Sequence, residues 1–177
     1  GRTVSLTRAC LTRICLSRGC LTRPQFTPRS PCQEITVPDF VPHFKLTHEG
    51  ALKMLAAGMV KATAMGQDQC ITIVDDGGHL LAFVRMDGGR VLSIDSSRKK
   101  AMTAASNRVP TGGIAAANEL KLSIATDGKM TNLLGGVPVI IDGRVIGAVG
   151  VGSGTGEQDL EVAKAAIAAL PGARTFD

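Results

Sequence analysis

The sequence predicts an α+β fold in which an antiparallel sheet is layered with helices, and three observations carry that prediction. Two segments read as strand, tight turn and returning strand. Others carry apolar residues at three-and-four spacing, and the order along the chain is helix, hairpin, helices, hairpin, helix. Hairpins join antiparallel neighbours, whereas a doubly wound parallel sheet needs a crossover between each pair of strands.

The first helix is expected to start at Thr47 as N-cap, with Glu49 in its first turn. Leu52, Leu55, Ala56, Met59, Val60 and Thr63 then recur at helical spacing, and the helix ends near Gly66. Cys70-Ile71-Thr72-Ile73-Val74 reads as a strand, Asp75-Asp76-Gly77-Gly78 as a turn, and His79 to Arg85 as the returning strand. After Met86-Asp87-Gly88-Gly89, a helix from about Leu92 to Asn107 is stopped by Pro110, because the residue before a proline is pushed out of the helical region. A short second helical piece is expected within 111–124. The second hairpin runs from Val137 to Ile141, turns at Asp142-Gly143, where the positive dihedrals of a tight turn are affordable, and returns from Arg144 to Val151. Gly150 to Gly156 reads as a glycine-rich loop. Asp159 is expected to open the last helix, whose Leu160, Ala163, Ile167 and Leu170 share one face.

The 177 residues, 44% hydrophobic, suffice for one globular domain. A net charge of +5 would ordinarily suggest nucleic acid or an acidic membrane as partner, but its distribution argues otherwise. Residues 1–33 hold six arginines and no acid, leaving 14 basic against 15 acidic side chains in the rest. The expected domain is thus nearly neutral, and no nucleic-acid partner is expected. Cys10, Cys15, Cys20 and Cys32 also lie at this end, so Cys70 is the only thiol of the body and no disulfide framework is proposed there. A reducing, cytoplasmic setting is compatible with that.

Leu-Thr/Ser-Arg recurs every five residues from Leu6 to Arg23. Five residues advance a helix by about 140° beyond a full turn, so this period lines no face. The Arg-rich, acid-free composition is like that of an organelle transit peptide, but such peptides are amphipathic, and targeting is the weaker reading. Five of the eight prolines fall between Pro24 and Pro42, the mark of a linker. Residues 1–44 are therefore expected to form an unstructured basic extension with a Pro-rich linker, and 45–177 a folded domain. No stretch approaches the roughly 20 apolar residues that span a bilayer, so no membrane partner is expected.

Gly150-Val151-Gly152-Ser153-Gly154-Thr155-Gly156 lies between a strand and a helix, where backbone N–H groups can receive phosphate. Its spacing matches neither the dinucleotide fingerprint nor a P-loop, and Glu157 and Asp159 would repel the anion. A backbone wall for a small ligand, including Gly152 and Gly154, is the better reading. Among His43, His48 and His79, His48 is the best ligand candidate, because a helix aims its imidazole rigidly; an exposed first-turn residue is the plainer alternative. Arg85, Asp87, Arg98, Lys99 and Lys100 flank the start of the second helix and suit ligand carboxylates, although a solvated charged face is the commoner meaning of such a run. No nucleophile motif is present.

Taken together, the motifs resemble the GlcG/HbpS-like family, which includes the C-terminal domain of PduO proteins. The matching segments are Ile73-Val74-Asp75 with Gly77-Gly78-His79-Leu80, Arg85-Met86-Asp87-Gly88, and Ser93-Ile94-Asp95 followed by Lys100-Ala101-Met102-Thr103-Ala104. Pro110-Thr111, Gly135-Gly136-Val137-Pro138, and Gly147 to Val151 through Glu157-Gln158-Asp159 continue the series over about residues 45–171. The resemblance implies a profilin-like fold, an antiparallel sheet flanked by helices, and a homo-oligomer. It implies haem as cofactor and a haem-binding function, extending in some members to haem degradation. It implies His48 as ligand of the haem iron, Thr103 as the second choice, Arg85 and Lys100 as propionate partners, and Gly135 and Gly136 beside Gly152 and Gly154 in the pocket backbone. Two alternatives remain open at this stage. One is a catabolic enzyme, a deaminase or hydrolase on a muconate-type or other carboxylate, with Asp87 or Glu119 as acid/base. The other is a non-catalytic oligomeric accessory protein.

Overall fold

The structure is a computed structural model that describes residues 38–176. The five-residue repeat and the four cysteines of the basic extension lie outside the described residues.

From Val41 onward the described residues form one compact unit. In chain order its elements are α1 (His48–Ala64), β1 (Cys70–Asp75), β2 (Leu80–Arg85), α2 (Ser93–Asn107), α3 (Ala116–Ala125), β3 (Gly136–Ile141), β4 (Arg144–Gly152) and α4 (Gly156–Ala168). The four strands form one sheet in the order β2-β1-β4-β3, every pairing antiparallel. Each expected element is present, and the expected α+β architecture holds.

Alternation along the strands divides the molecule into layers. Ile71 and Ile73 of β1, Val137 and Val139 of β3, and Val149 and Val151 of β4 point to the face covered by α1 and α4, where they form the main core with Met54, Val162 and Ile167. The opposite face carries small residues. Val74 and Ala148 meet Ala101, Ala104 and Ala105 of α2, and Thr72 shares a 2.8 Å hydrogen bond with Ser97. A Cβ at Gly150 would overlap the Ser97 carbonyl and the backbone of Ala101, so α2 lies directly on the β4 backbone.

Local chemistry fixes the ends of the elements. Thr47 caps α1 through a 3.1 Å bond from Gly50 N–H. The β3–β4 turn uses Asp142 and Gly143 at φ 49° and 74°, the conformation that an Asp-Gly pair favours. Pro138 sits in β3, an edge strand, where a missing N–H is tolerated. Three expectations need correction. The apolar series of α1 is not its buried stripe: Leu52, Ala56, Val60 and Thr63 are exposed, and Ala51, Met54, Leu55, Gly58 and Ala62 face the core, because α1 approaches Ile71 and Val162 closely through Gly58. β4 runs on to Gly152, so the first glycines of the expected loop belong to the sheet. Helix α4 is opened by Thr155, not by Asp159: the Thr155 side chain accepts from Gln158 N–H, and Gln158 Oε1 accepts from Thr155 N–H. Asp159 lies one turn in and faces the interior.

Candidate functional site

The end of the sheet that carries the β1–β2 and β3–β4 turns also receives the C-terminus of α2, and two clefts open there. The first, of about 330 Å³, is lined by Gly77 and Gly78 of the β1–β2 turn, Met102, Thr103 and Ala105 of α2, and Lys129 and Met130 of the segment after α3. The second, of about 480 Å³, is lined by His43, Arg108, Arg144 and Val145 among others. Asp76, Ala105 and Ser106 line both, so the two clefts adjoin, and together they are called the groove.

The groove is stiffened by hydrogen bonds. Asp75 accepts from His79 N–H at 2.8 Å, and its same oxygen lies 3.2 Å from the His79 imidazole. Burial pushes the Asp75 carboxyl up, but the bonds and charge supplied by His79, with a backbone bond from Gly77, outweigh it and hold the group below its usual range. On the other wall, Thr103 Oγ1 donates to Lys99 O at 2.8 Å and accepts from Thr131 N–H at 3.0 Å, which ties α2 to the 126–131 segment. His43 Nε2 lies 3.4 Å from Asp76 Oδ2. Arg144 donates to Pro42 O at 3.1 Å while its guanidinium stacks 5.4 Å from the Phe44 ring centre.

A second cluster of polar groups is closed to solvent. Lys100 Nζ donates to Asp159 Oδ2 at 2.6 Å and to Val151 O at 2.8 Å, and Asp159 Oδ1 accepts from Gly154 N–H at 2.9 Å. Burial is the largest influence on Asp159 and lifts its carboxyl above the ordinary range, against the downward pull of Lys100. The glycines expected to wall a ligand pocket close around this pair. A Cβ at Gly135, which has φ 114°, would come within 2.6 Å of Asp159 Cβ, and one at Gly154 within 2.6 Å of Gln69 Nε2. Gly136 packs on the Lys100 carbonyl and Gly152 on Ser93 and Ser96 of α2. These four glycines permit close packing of protein on protein.

The residues nominated from the sequence are therefore spread over the molecule. Thr103 lines the groove with its hydroxyl engaged. His48 is exposed on the first turn of α1, which packs on the sheet face opposite α2, and it lines neither cleft. Arg85 ends β2 opposite Cys70, whereas Lys100 is turned inward beneath β3 and β4, with β1 between them. Asp87 is in the exposed loop after β2, and Glu119 lines a separate depression beside α3. Sequence reasoning missed His43, Asp76, Arg108 and Arg144 at the groove, and Asp159 as the partner of Lys100. The one local sign was Arg108 just before Val109-Pro110, where the helix had to end. Among the described residues no cluster of His, Cys, Asp and Glu could hold a metal ion on its own, and no helix is long and apolar enough to cross a membrane.

Known proteins share this architecture. The chain is 44% identical to protein GlcG of Escherichia coli strain K12 over 107 residues, which is 60% of this chain and 80% of GlcG. It superposes on the crystal structure of a PduOC:haem complex with a TM-score of 0.69 and 26% identity, covering 76% of this chain and all of that one. For the crystal structure of HbpS the TM-score is 0.67 with 30% identity, covering 75% of this chain and 94% of that one. The family model described as haem degrading protein HbpS-like matches residues 46–168, from the residue before the α1 cap to the last residue of α4, and the chain belongs to that HbpS-like family.

Proposed function

We propose that the protein binds haem in the groove between the β1–β2 turn and the C-terminal half of α2. The observation that carries this reading is the groove wall, in which Met102, Ala105 and Met130 offer apolar surface in a fold shared with a domain solved as a haem complex. The residues present fit such a ligand. A haem site needs apolar walls, an axial donor and cations for the propionates. His43 is the imidazole that lines the groove, and Asp76 beside its Nε2 orients the ring as carboxylates commonly orient ligating histidines. Lys129 lies on the wall with the two methionines. Thr103, with its hydroxyl committed to Lys99 and Thr131, holds the wall in place. Bound there, haem would supply an iron centre for ligand binding or electron transfer. The chain's part is to orient it and shield one of its faces from water.

His48, nominated by the resemblance, is the competing iron ligand, and a second copy of the chain would have to bring it to the groove. Assembly into a homo-oligomer is part of this proposal. It is supported by α3, which has no buried residue and leaves Leu120 and Ile124 each 71% exposed.

Titration with haemin tests the reading. A saturable Soret shift is expected, weakened roughly tenfold or more by His43→Ala and unchanged by His48→Ala. The reverse pattern moves the iron ligand to His48, and a titration indistinguishable from free haemin overturns haem binding. Breakdown of bound haem is the finer part of the proposal. Loss of the Soret band with iron release under ascorbate and oxygen would support it, and a stable band would limit the function to binding.

A further inference from the structure

We propose that Arg108 and Arg144 form a carboxylate-binding pair at the outer end of the groove. Four observations converge on them. Both residues line the same cleft, and neither guanidinium has an acidic partner among the described residues. Asp76 is the only carboxylate in the lining of that cleft, and it is already engaged by His43 at 3.4 Å. Arg144 is held in advance by the Phe44 ring and Pro42 O, so little side-chain freedom is left to lose on binding. Arg108 occupies the left-handed position after α2 at φ 62°, where glycine or asparagine is the ordinary choice. An arginine in that conformation is strained, and strain of this kind gathers at binding sites.

The chemistry selects the ligand class. Two planar guanidinium groups accept carboxylates through paired N–H donors, and Asp76 on the same wall disfavours the denser charge of a phosphate dianion. The carboxylates have two sources: the propionates of a haem lying in the groove, or a free dicarboxylate. The first source rests on the haem reading given above, and the second does not.

The full chain is titrated with haemin, with haemin dimethyl ester, which lacks free carboxylates, and with succinate, followed by the Soret band and by amide NMR signals. Arg108→Gln and Arg144→Lys are compared with the parent. Arg144→Lys keeps the charge if loosening of the 42–44 segment by other substitutions obscures the result, and thermal melts check folding of each. Haemin binding roughly tenfold tighter than its ester, with the difference lost in Arg108→Gln, supports the pair as propionate clamp. Saturable succinate shifts at residues 106–108 and 143–145, lost in the same variant, support a free dicarboxylate site, even if neither porphyrin binds. Equal affinity for haemin and ester together with no succinate response overturns the proposal. Tighter binding of inorganic phosphate than of succinate overturns the ligand class.

Discussion

Lys100 and Asp159 meet at 2.6 Å with side chains only 5% and 3% exposed, and that burial decides what each can do. Removing two charges from water costs several kcal/mol apiece, offset here by mutual attraction and by bonds to Val151 O and Gly154 N–H. Burial lifting the Asp159 carboxyl even beside an ammonium is the same cost seen through its proton. Breaking one side of the pair is therefore predicted to be worse than losing both. Lys100→Met should cost about 3–5 kcal/mol in urea unfolding, and the double variant Lys100→Met, Asp159→Leu should recover most of it. If single and double variants lose equally, the backbone bonds and not the ion pair hold the site. Lys100 was visible in the sequence as a charge near a helix start. Its partner was not, because the two are far apart in the chain and only the docking of α4 brings them together. In the sequence Asp159 reads as a helix-opening acid, since an acid in that turn is favourable there whichever way it points.

At the scale of elements, the contact of α2 with β4 rests on missing side chains. Gly150 faces the α2 backbone, which cannot swing aside as a flexible side chain would. Gly150→Ala is predicted to destabilise at or above the ~3 kcal/mol upper end of ordinary overpacking. Gly113→Ala, where no atom lies within 4 Å of the added carbon, should change stability by less than about 0.5 kcal/mol. Equal effects in thermal or urea unfolding would mean that α2 has room to retreat. The elements themselves were largely legible. The Thr47 cap of α1, the Asp-Gly turn between β3 and β4, and the proline after α2 are local signals with local causes, whereas the face that α1 buries follows from its close approach to Ile71 and Val162 at Gly58, which no local pattern shows. The end of β4 was not legible, because glycine is a poor strand former and its presence there reflects packing against a helix some 50 positions earlier in the chain. The groove was illegible for the same reason: His43, Asp76, Arg108 and Arg144 come from four separate connections or strand ends.

For the whole molecule, 14 basic against 15 acidic residues beyond position 33 leave that part of the chain nearly neutral, and the positive excess belongs to the first 33 residues. Deleting residues 1–40 is predicted to leave the circular dichroism melt and the haemin titration unchanged, because among the described residues the core and groove draw on those from Val41 onward. A lower melting temperature or loss of soluble protein would show that the extension supports the fold.

Pro138 also gives the sheet a direction. A strand that lacks an N–H cannot offer a continuous ladder, so β3 resists the addition of a further strand from another chain. The opposite edge, β2, has no proline, and Leu80 at its start is exposed. The two edges are unequal, and growth of the sheet across a chain boundary, whether in an ordered assembly or in aggregation, would proceed from β2 and stop at β3.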